Sequence, residues 1–482
     1  MNYGIVLRVL GILLIIESSL MAPSLLISLY EGEHDFYPFL ITIIITLIVG
    51  IILSRKKGKD NLISAKDGLA IVALGWLSIS ILGAMPLFLA KSTPTYIDAF
   101  FEIVSGFTTT GSSVIENVEI LPKGILFWRS FTHWIGGMGI LVFTIALLPA
   151  LGVGGFQIYK AESPGPIAGK MAPRIKDTAK ILYITYFSIT ILQVILLLFG
   201  KMSLFDALLH TFGTVGTGGF GIKAESVGYY KSSYIHIVIA VFMVLSGVSF
   251  SLYYSLYRKK IRDVIKNEEL GLYLGIVISS TLFIAINLYM TNYGKISLSL
   301  RDSFFQVASI MTTTGYSTAD FDLWPSFSKG ILVLLMFIGA SAGSTAGGIK
   351  VIRILVMFKL IKREILKIFH PRAIIPIRND GRVLSNEVIA GIYSFIALYM
   401  VIFSLSTLLV TLEGVDLVTA STSVIATLSN IGPGLALVGP TRSFALYSGA
   451  TKMLLSFLML LGRLELFTII ALLAPKNWRR EM

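Results

Sequence analysis

The sequence predicts an all-α protein that crosses the membrane many times. Hydrophobic residues make up 55% of the chain, charged residues only 14%, and the mean hydropathy is +0.81. Soluble proteins have a far more polar composition. Apolar stretches, most of them longer than the about 20 residues that span a bilayer as a helix, lie near residues 4–29, 37–54, 67–90, 124–151, 178–200, 233–257, 270–291, 328–342, 386–412 and 443–474.

The first two stretches are predicted to be N-terminal transmembrane helices. The first exceeds the apolar core of a signal peptide, and no small-residue cleavage site follows it, so we expect it to be retained. The cations behind the net charge of +13 cluster in connections, at residues 55–59, 160–180, 258–266, 359–382 and 479–480. The positive-inside rule makes these connections cytoplasmic, with both termini inside, and the predicted partner is the lipid bilayer and not nucleic acid.

The rest of the chain repeats an apolar segment that ends in threonine and glycine. Residues 98–111 read DAFFEIVSGFTTTG and residues 302–315 read DSFFQVASIMTTTG, and the two align without a gap. Residues 206–219 keep the same distance from aspartate to glycine, although Gly219 has two rivals for the equivalent position, Gly216 and Gly218. The register of this copy is therefore open.

A fourth copy is degenerate. Its alignment places Gly432 opposite Gly111, which sets Asn430 and Ile431 opposite two threonines. Each copy lies between two long apolar stretches, so the predicted unit is a helix, a half-helix, an extended loop and a second helix. Four units after two extra helices amount to about ten membrane-spanning helices and four half-helices.

The same order of elements in every unit predicts parallel repeats. Connections within units are short and those between units are basic, so all four loops enter from the same face. Repeats related by an axis along the membrane normal then surround one central pathway. The predicted divisions are two N-terminal helices in residues 1–60 and four pore repeats in residues 61–160, 161–265, 266–370 and 371–482.

The composition of the loops suits a path for cations. Non-helical backbone at membrane depth is tolerated only inside protein or around an aqueous path, where its carbonyls can replace the hydration shell of an ion. Glycine permits close approach of the backbone to the axis, and threonine adds hydroxyl oxygens. Without a carboxylate, these donors favour a monovalent, weakly hydrated cation. The predicted ion-binding residues are Thr109, Thr110, Gly111, Thr217, Gly218, Gly219, Thr313, Thr314, Gly315, Asn430, Ile431 and Gly432.

Other chemistry is not indicated. Three aspartates that open the half-helices, Asp98, Asp206 and Asp302, are predicted to cap backbone N–H groups and not to bind ions. The chain has no cysteine, its five histidines have no metal-ligand spacing, and no Ser/His/Asp set occurs. An enzyme is therefore not expected.

Residues 339–350 read GASAGSTAGGIK and interrupt the apolar stretch that begins near residue 328. So many small residues either allow tight packing between helices or break a helix in two. Gly343 and Gly348 have the spacing of a phosphate-binding loop, but Ile349 stands where that motif requires lysine. Nucleotide binding by this segment is therefore not expected.

Six motifs resemble one family in their order and spacing. They are SGFTTTG at 105–111, WIGGMG at 134–139, TGGF at 217–220, GSTAGGIK at 343–350, NIGPG at 430–434 and LGRLE at 461–465. Together they resemble the TrkH/KtrB family of potassium uptake proteins over nearly the whole chain, and the two extra N-terminal helices are more similar to the TrkH branch. The resemblance implies a homodimer in the inner (cytoplasmic) cell membrane that translocates potassium, contains no organic cofactor, and is controlled by a cytosolic, nucleotide-binding TrkA-like partner.

The resemblance also implies a selectivity filter and a gate. The filter glycines would be Gly111, Gly219, Gly315 and Gly432, and one recurring glycine per copy predicts weaker potassium selectivity than in a tetrameric potassium channel. The gate would be a flexible loop below the filter, with gating residues Gly343, Ser344, Thr345, Ala346, Gly347, Gly348, Lys350 and Arg463. Arg463 either projects into the cavity under the filter or pairs with an acid such as Glu465. We favour the cavity, because an offset of two residues suits a helical ion pair poorly.

A cation-coupled secondary transporter for a small solute is the alternative function. Such a transporter is expected to have inverted repeats and a midplane site with solute-specific carboxylate or aromatic side chains. Four copies of one loop in the same sense favour the ion path instead.

Overall fold

The computed structural model describes residues 1–56, 63–139 and 175–473, and nearly all of its regular structure is helical. Six segments in the described part are long and apolar enough to cross a bilayer. They are Tyr3–Glu31, Phe36–Ser54, Lys66–Leu89, Lys180–Phe199, Glu268–Thr291 and Asn386–Glu413. The predicted all-α fold with many membrane spans is therefore confirmed.

Three helices precede the repeats: α1 (Tyr3–Leu20), α2 (Ala22–Glu31) and α3 (Phe36–Ser54). The first two together form one of the six long segments. The apolar face of α1, which includes Ile5, Val9 and Leu13, is buried against α3 and against the first helix of repeat 1. Helices α1 to α3 therefore lie outside the four repeats and pack against repeat 1.

Each of the four repeats contains a long helix, a short helix and a second helix. Repeat 1 has α4 (Ala65–Leu89), α5 (Tyr96–Phe107) and α6 (Lys123–Gly137), and repeat 2 has α7 (Ile175–Phe199), α8 (Leu204–Val215), α9 (Ser233–Ser246) and α10 (Phe250–Tyr257). After α11 (Ile261–Ile265), repeat 3 has α12 (Glu268–Leu288), α13 (Ile296–Met311), α14 (Ser326–Phe337) and α15 (Val351–Phe369). A hairpin pairs Arg378–Asn379 with Arg382–Val383, and repeat 4 has α16 (Asn386–Val410), α17 (Leu417–Leu428), α18 (Gly449–Arg463) and α19 (Leu466–Leu473).

In each repeat, the helix that follows the short helix is itself shorter than the long helix that opens the repeat. Helices α9 and α10 meet at an angle of 90°, and α14 stops at Phe337 ahead of the segment 338–350. Helix α18 stops at Arg463, just before Glu465 turns the chain with a φ of 62°, and Gly139 turns it after α6 with a φ of 73°. The long second helices that the hydropathy suggested are thus interrupted in the part of the chain that is described.

Helices α5, α8, α13 and α17 are the predicted half-helices, and we call them pore helices 1 to 4. Asp98 and Thr95 form a reciprocal cap at the start of pore helix 1, and Asp206 lies in the first turn of pore helix 2. Asp416 caps pore helix 4, where hydrogen bonds from the Thr419 side chain and backbone hold the pKa of its carboxyl below the usual range. The prediction that Asp206 caps pore helix 2 is wrong: the Ser203 hydroxyl is the cap and accepts the Asp206 N–H at 3.1 Å, while the Asp206 carboxylate accepts the Tyr230 hydroxyl at 2.8 Å. Capping carboxylates therefore stabilise two of the four N-termini, those of pore helices 1 and 4.

The prediction that Asp302 caps pore helix 3 is wrong. This helix begins at Ile296, so Asp302 lies in its interior, where it pairs with Arg301 at 2.9 Å. No side chain caps the start of the helix, since the preceding residue is Lys295. Residues 296–301 therefore form about one and a half turns of helix ahead of the predicted start, and the sequence has no capping residue before them.

Candidate functional site

The four pore helices end in the same backbone conformation. A φ of 55° or 56° recurs at Thr109, Thr217, Thr313 and Asn430, and a φ between 72° and 105° recurs two residues later at Gly111, Gly219, Gly315 and Gly432. The residue between them donates its N–H to a carbonyl of the pore helix at 2.8 Å in all four copies, which is the closure typical of a helix C-terminus. In repeat 2 this conformation belongs to Gly219, while Gly216 has a φ of −72°. We call residues 108–113, 216–221, 312–317 and 429–434 pore loops 1 to 4.

The pore loops form a closed ring in chain order. At each recurring glycine, an added Cβ would lie closer than 3.0 Å to a backbone carbonyl oxygen of the neighbouring loop. The pairs, glycine first and carbonyl second, are Gly111 with Gly218, Gly219 with Thr314, Gly315 with Ile431 and Gly432 with Thr110. Four glycines and four carbonyls therefore alternate around one ring, and no residue larger than glycine fits at the four glycine positions.

A cavity of about 340 Å³, which we call the vestibule, opens on one side of this ring. Its floor consists of the four ring glycines and of Ser112, Phe220 and Pro433, which follow three of them. Its wall carries charges of both signs, from Glu116, Lys223 and Arg442 among others. The ring is thus reached through a polar chamber large enough for hydrated ions.

The ring offers oxygen donors from backbone and hydroxyl groups. In pore loop 1 the hydroxyls of Thr108 and Thr110 lie 2.7 Å apart, and the equivalent pair in pore loop 3, Thr312 and Thr314, lies 2.8 Å apart. The carbonyl ends of the four pore helices meet at the ring and add partial negative charge. Among the described residues, no group of three His, Cys, Asp or Glu side chains could hold a metal ion. The site therefore suits a cation that exchanges water for neutral oxygens.

The predicted gating segment forms a loop between α14 and α15, at residues 338–350, which we call the intramembrane loop. Its ends are held together by the backbone: Gly339 donates its N–H to the Ile349 carbonyl at 2.7 Å, and Val351 donates to the Ala340 carbonyl at 3.2 Å. The small residues between them leave room for this compact fold. The loop is therefore a closed structure with a defined conformation.

Glu269, the second residue of the long helix α12, binds backbone N–H groups of the intramembrane loop and of the helix that follows it, α15. Its Oε1 atom accepts the N–H of Ala342 at 2.7 Å and the N–H of Ile352 at 3.2 Å. The side chain is 8% exposed, so these hydrogen bonds are largely shielded from water. The only sequence signal for this role was an acid at the start of an apolar helix, and it was missed.

The intramembrane loop touches the ring on the side away from the vestibule. Gly347 donates its N–H to the Thr313 hydroxyl at 2.8 Å and packs closely against the Ser429 carbonyl. Within the loop, the Lys350 ammonium donates to the Ala346 carbonyl. The predicted gating residues of this segment thus lie together beside pore loops 3 and 4.

Arg463, the last residue of α18, joins the intramembrane loop to α6. Its guanidinium donates to the Thr345 carbonyl at 2.6 Å, to the Gly137 carbonyl at 2.9 Å, and to the Gly136 carbonyl. The Thr109 hydroxyl of pore loop 1 lies 3.4 Å from the same side chain. The structure therefore places this cation directly below the ring.

A buried ion pair lies next to pore loop 1. Glu102 of pore helix 1 and Arg129 of α6 are 2.5 Å apart, and their side chains are 0% and 1% exposed. The Glu102 carboxylate also accepts the Ser113 hydroxyl at 2.9 Å and the Val114 N–H at 3.0 Å. The pair connects the C-terminal end of pore loop 1 to pore helix 1 and to α6. Its partners are distant in the sequence, which gave no sign of the contact.

Replacing Glu102 with alanine is expected to destabilise the protein by about 3–5 kcal/mol, because Arg129 would stay buried without its counter-charge. Thermal unfolding of the purified protein in detergent measures the loss. Glu225→Ala is the control, since it breaks an exposed pair with Lys231 (3.3 Å apart) whose contribution is at most about 1 kcal/mol. Equal unfolding temperatures for the two variants would contradict this prediction.

Comparison with known proteins identifies the family. Residues 37–480 match the family model described as "TrkH: Cation transport protein". The Trk system potassium uptake protein TrkH of Salmonella typhimurium is 38% identical over 487 aligned residues, covering 99% of this chain and 100% of that protein. The Trk system potassium uptake protein TrkG of Escherichia coli is 34% identical, with 98% of each chain covered.

A solved structure has the same fold. The crystal structure of the potassium transporter TrkH from Vibrio parahaemolyticus matches with a TM-score of 0.88 and 35% sequence identity, over 99% of this chain and 100% of that one. Sequence and fold thus correspond along the full length of both proteins. The chain belongs to the TrkH family of cation transport proteins, which are multi-pass membrane transporters and not enzymes.

Proposed function

We propose that the chain is the potassium-translocating transmembrane subunit of a Trk-type potassium uptake system, with channel-like permeation through the ring of pore loops. The observation that carries this proposal is the closed ring, in which four glycines alternate with four carbonyls below a polar vestibule. Full-length relatives that are named potassium uptake proteins support the choice of ion.

The chemistry of the ring supports a monovalent cation. Carbonyl and hydroxyl oxygens can replace the hydration shell of such an ion, whereas pores for divalent ions use rings of Asp or Glu. The two buried acids of pore helix 1 are paired with cations: Glu102 with Arg129 at 2.5 Å, and Asp98 with Lys452 at 2.7 Å. The proposed ion-binding residues are therefore the three that end at each ring glycine.

We assign gating to the intramembrane loop together with Arg463. The loop contacts the ring from below, and Arg463 links the loop to α6. A fixed positive charge at this point repels a cation that leaves the ring. Closure thus combines a physical obstruction with electrostatic repulsion, and opening requires the loop to leave both contacts.

The resemblance to Trk proteins supports a homodimer with one pore per subunit and a cytosolic, nucleotide-binding TrkA-like regulator. The basic connections, such as 258–266 and 359–382, support a topology with both termini and the intramembrane loop toward the cytoplasm and the vestibule toward the outside. The proposed divisions are two N-terminal helices in residues 1–60 and four pore repeats in residues 61–160, 161–265, 266–370 and 371–482. Potassium is the transported ion, and no organic cofactor is assigned to this chain.

Flux measurements on the purified protein in liposomes test the proposal. Potassium, sodium and proton gradients are imposed one at a time, with protein-free liposomes as the control. Channel-like permeation predicts that potassium moves down its own gradient without the other two, and faster than sodium. Absence of potassium flux from both the wild type and the Arg463→Ala variant, which lacks the proposed clamp on the gate, would overturn the proposal, and a requirement for a sodium or proton gradient would favour a coupled transporter.

A further inference from the structure

Pore loop 2 lacks the side chains that brace pore loops 1 and 3. In pore loop 1 the Thr108 and Thr110 hydroxyls contact each other at 2.7 Å, and pore loop 3 has an equivalent threonine pair. The matching positions in repeat 2 are Gly216 and Gly218, which have no side chain. Something else must therefore hold this quarter of the ring.

The imidazole of His133, from α6, fills the space. It is fully buried, and its ring centroid lies 4.2 Å from that of Phe220. A side chain on Gly218 would put its Cβ closer than 3.0 Å to the imidazole, and one on Gly216 would meet the backbone carbonyl of His133. The two glycines and the histidine are complementary in shape, as in a close-packed core.

Both ring nitrogens of His133 form hydrogen bonds. Nε2 accepts the backbone N–H of Phe220 at 3.1 Å, and Nδ1 lies 2.8 Å from the Gly106 carbonyl oxygen of pore helix 1. Because a backbone N–H only donates, Nε2 carries a lone pair, Nδ1 carries the proton, and the imidazole is neutral. It therefore connects pore helix 1 to pore loop 2 without adding a positive charge beside the carbonyls.

We propose that His133 is a positioning residue for ion selectivity, a role that rests on the proposed function of the ring. It holds the chain at Phe220 and admits only glycine at position 218, so the Gly218 carbonyl stays against Gly111 of pore loop 1. His133 does not coordinate the ion. It sets the position of one of the four carbonyls that do.

His133→Ala is expected to lower the permeability ratio of potassium to sodium about fivefold, the change that corresponds to one lost hydrogen bond of about 1 kcal/mol. Reversal potentials of the full-length protein in lipid bilayers measure the ratio. His236→Ala is the matched control, because His236 is also buried and hydrogen-bonded, with Nε2 2.7 Å from the Tyr230 carbonyl, but lies away from the ring. A purely structural role for His133 would lower thermal stability in both variants and change the ratio in neither.

A second test measures the coupling between His133 and Gly218. Gly218→Ala alone is expected to lower the ratio, because the methyl group meets the imidazole. In the His133→Ala background the same methyl occupies vacated space, so the two effects on the logarithm of the ratio are not additive. Additive effects, or a wild-type ratio in His133→Ala, would overturn the proposal. If His133→Ala does not fold, a wild-type ratio in Gly218→Ala overturns it.

The wild-type protein separates this inference from the proposed function. Protein that conducts no potassium either as wild type or with the Arg463→Ala substitution, or that conducts it without selectivity, refutes the function of the ring itself. Selective wild-type protein with unchanged variants refutes only the role of His133.

Discussion

Replacing Gly315 with serine is expected to remove most of the discrimination between potassium and sodium. The φ of 88° at this position is left-handed, and a residue with a side chain is strained there by about 1–3 kcal/mol. The added Cβ would also lie closer than 3.0 Å to the Ile431 carbonyl oxygen. Pore loops 3 and 4 must then move apart, which displaces that carbonyl from the ring. We expect the permeability ratio to fall at least about tenfold, since about 1.4 kcal/mol changes an equilibrium by that factor.

Reversal potentials under paired potassium and sodium gradients measure the change. Gly330→Ser is the matched control, because this glycine lies in α14 and an added Cβ would have no atom within 4 Å. The control should conduct with the wild-type ratio. Wild-type selectivity in a normally folded Gly315→Ser protein would remove Gly315 from the filter.

The membrane class and two of the pore loops were predictable because their signals are local. Hydropathy reports helices that face lipid, and pore loops 1 and 3 begin with the same four residues, TTTG, at 108–111 and 312–315. Pore loop 4 lost that signature, yet Asn430 keeps the φ of 56° found at the corresponding threonines. Asparagine tolerates left-handed backbone better than most residues, so the conformation persisted where the pattern had faded.

The register of pore loop 2 was not decidable from local sequence. The sequence offers three neighbouring glycines for one position in the ring. Two of them, Gly216 and Gly218, have no room for a side chain because His133 packs against them. That contact joins a loop to a helix of the preceding repeat. The ion pair of Glu102 with Arg129 and the hydrogen bonds of Glu269 were hidden for the same reason, since sequence spacing does not report tertiary neighbours.

The placement of Arg463 also depends on tertiary structure. Helix α18 ends at this residue, and Glu465 turns the chain with a φ of 62°. Glu465 forms an ion pair with Arg353 of α15 at 2.5 Å, and the Arg353 guanidinium lies 3.7 Å from the centroid of the Phe395 ring. Arg463 reaches the intramembrane loop at Thr345. Two charged residues that are close in sequence thus hold different elements below the ring.

Arg463→Ala is expected to raise potassium flux in the absence of any regulatory partner. The substitution removes the hydrogen bonds to Thr345 and Gly137 that clamp the intramembrane loop to α6. It also removes a positive charge 3.4 Å from the Thr109 hydroxyl of pore loop 1. Each charge-assisted hydrogen bond contributes about 1.5–3 kcal/mol, so loss of both should increase the open fraction, and with it the flux, at least about tenfold.

Flux from liposomes at equal protein content measures this increase, and two further variants identify its cause. Arg463→Lys keeps the charge but loses the planar fork of donors. If the clamp dominates, the lysine variant conducts like the alanine variant, and if repulsion dominates, it stays near wild type. Arg301→Ala is the matched control, because Arg301 pairs with Asp302 and Ser233 outside the gate, so its flux should not change. Equal or lower flux in a well-folded Arg463→Ala protein would mean that Arg463 does not hold the pathway closed.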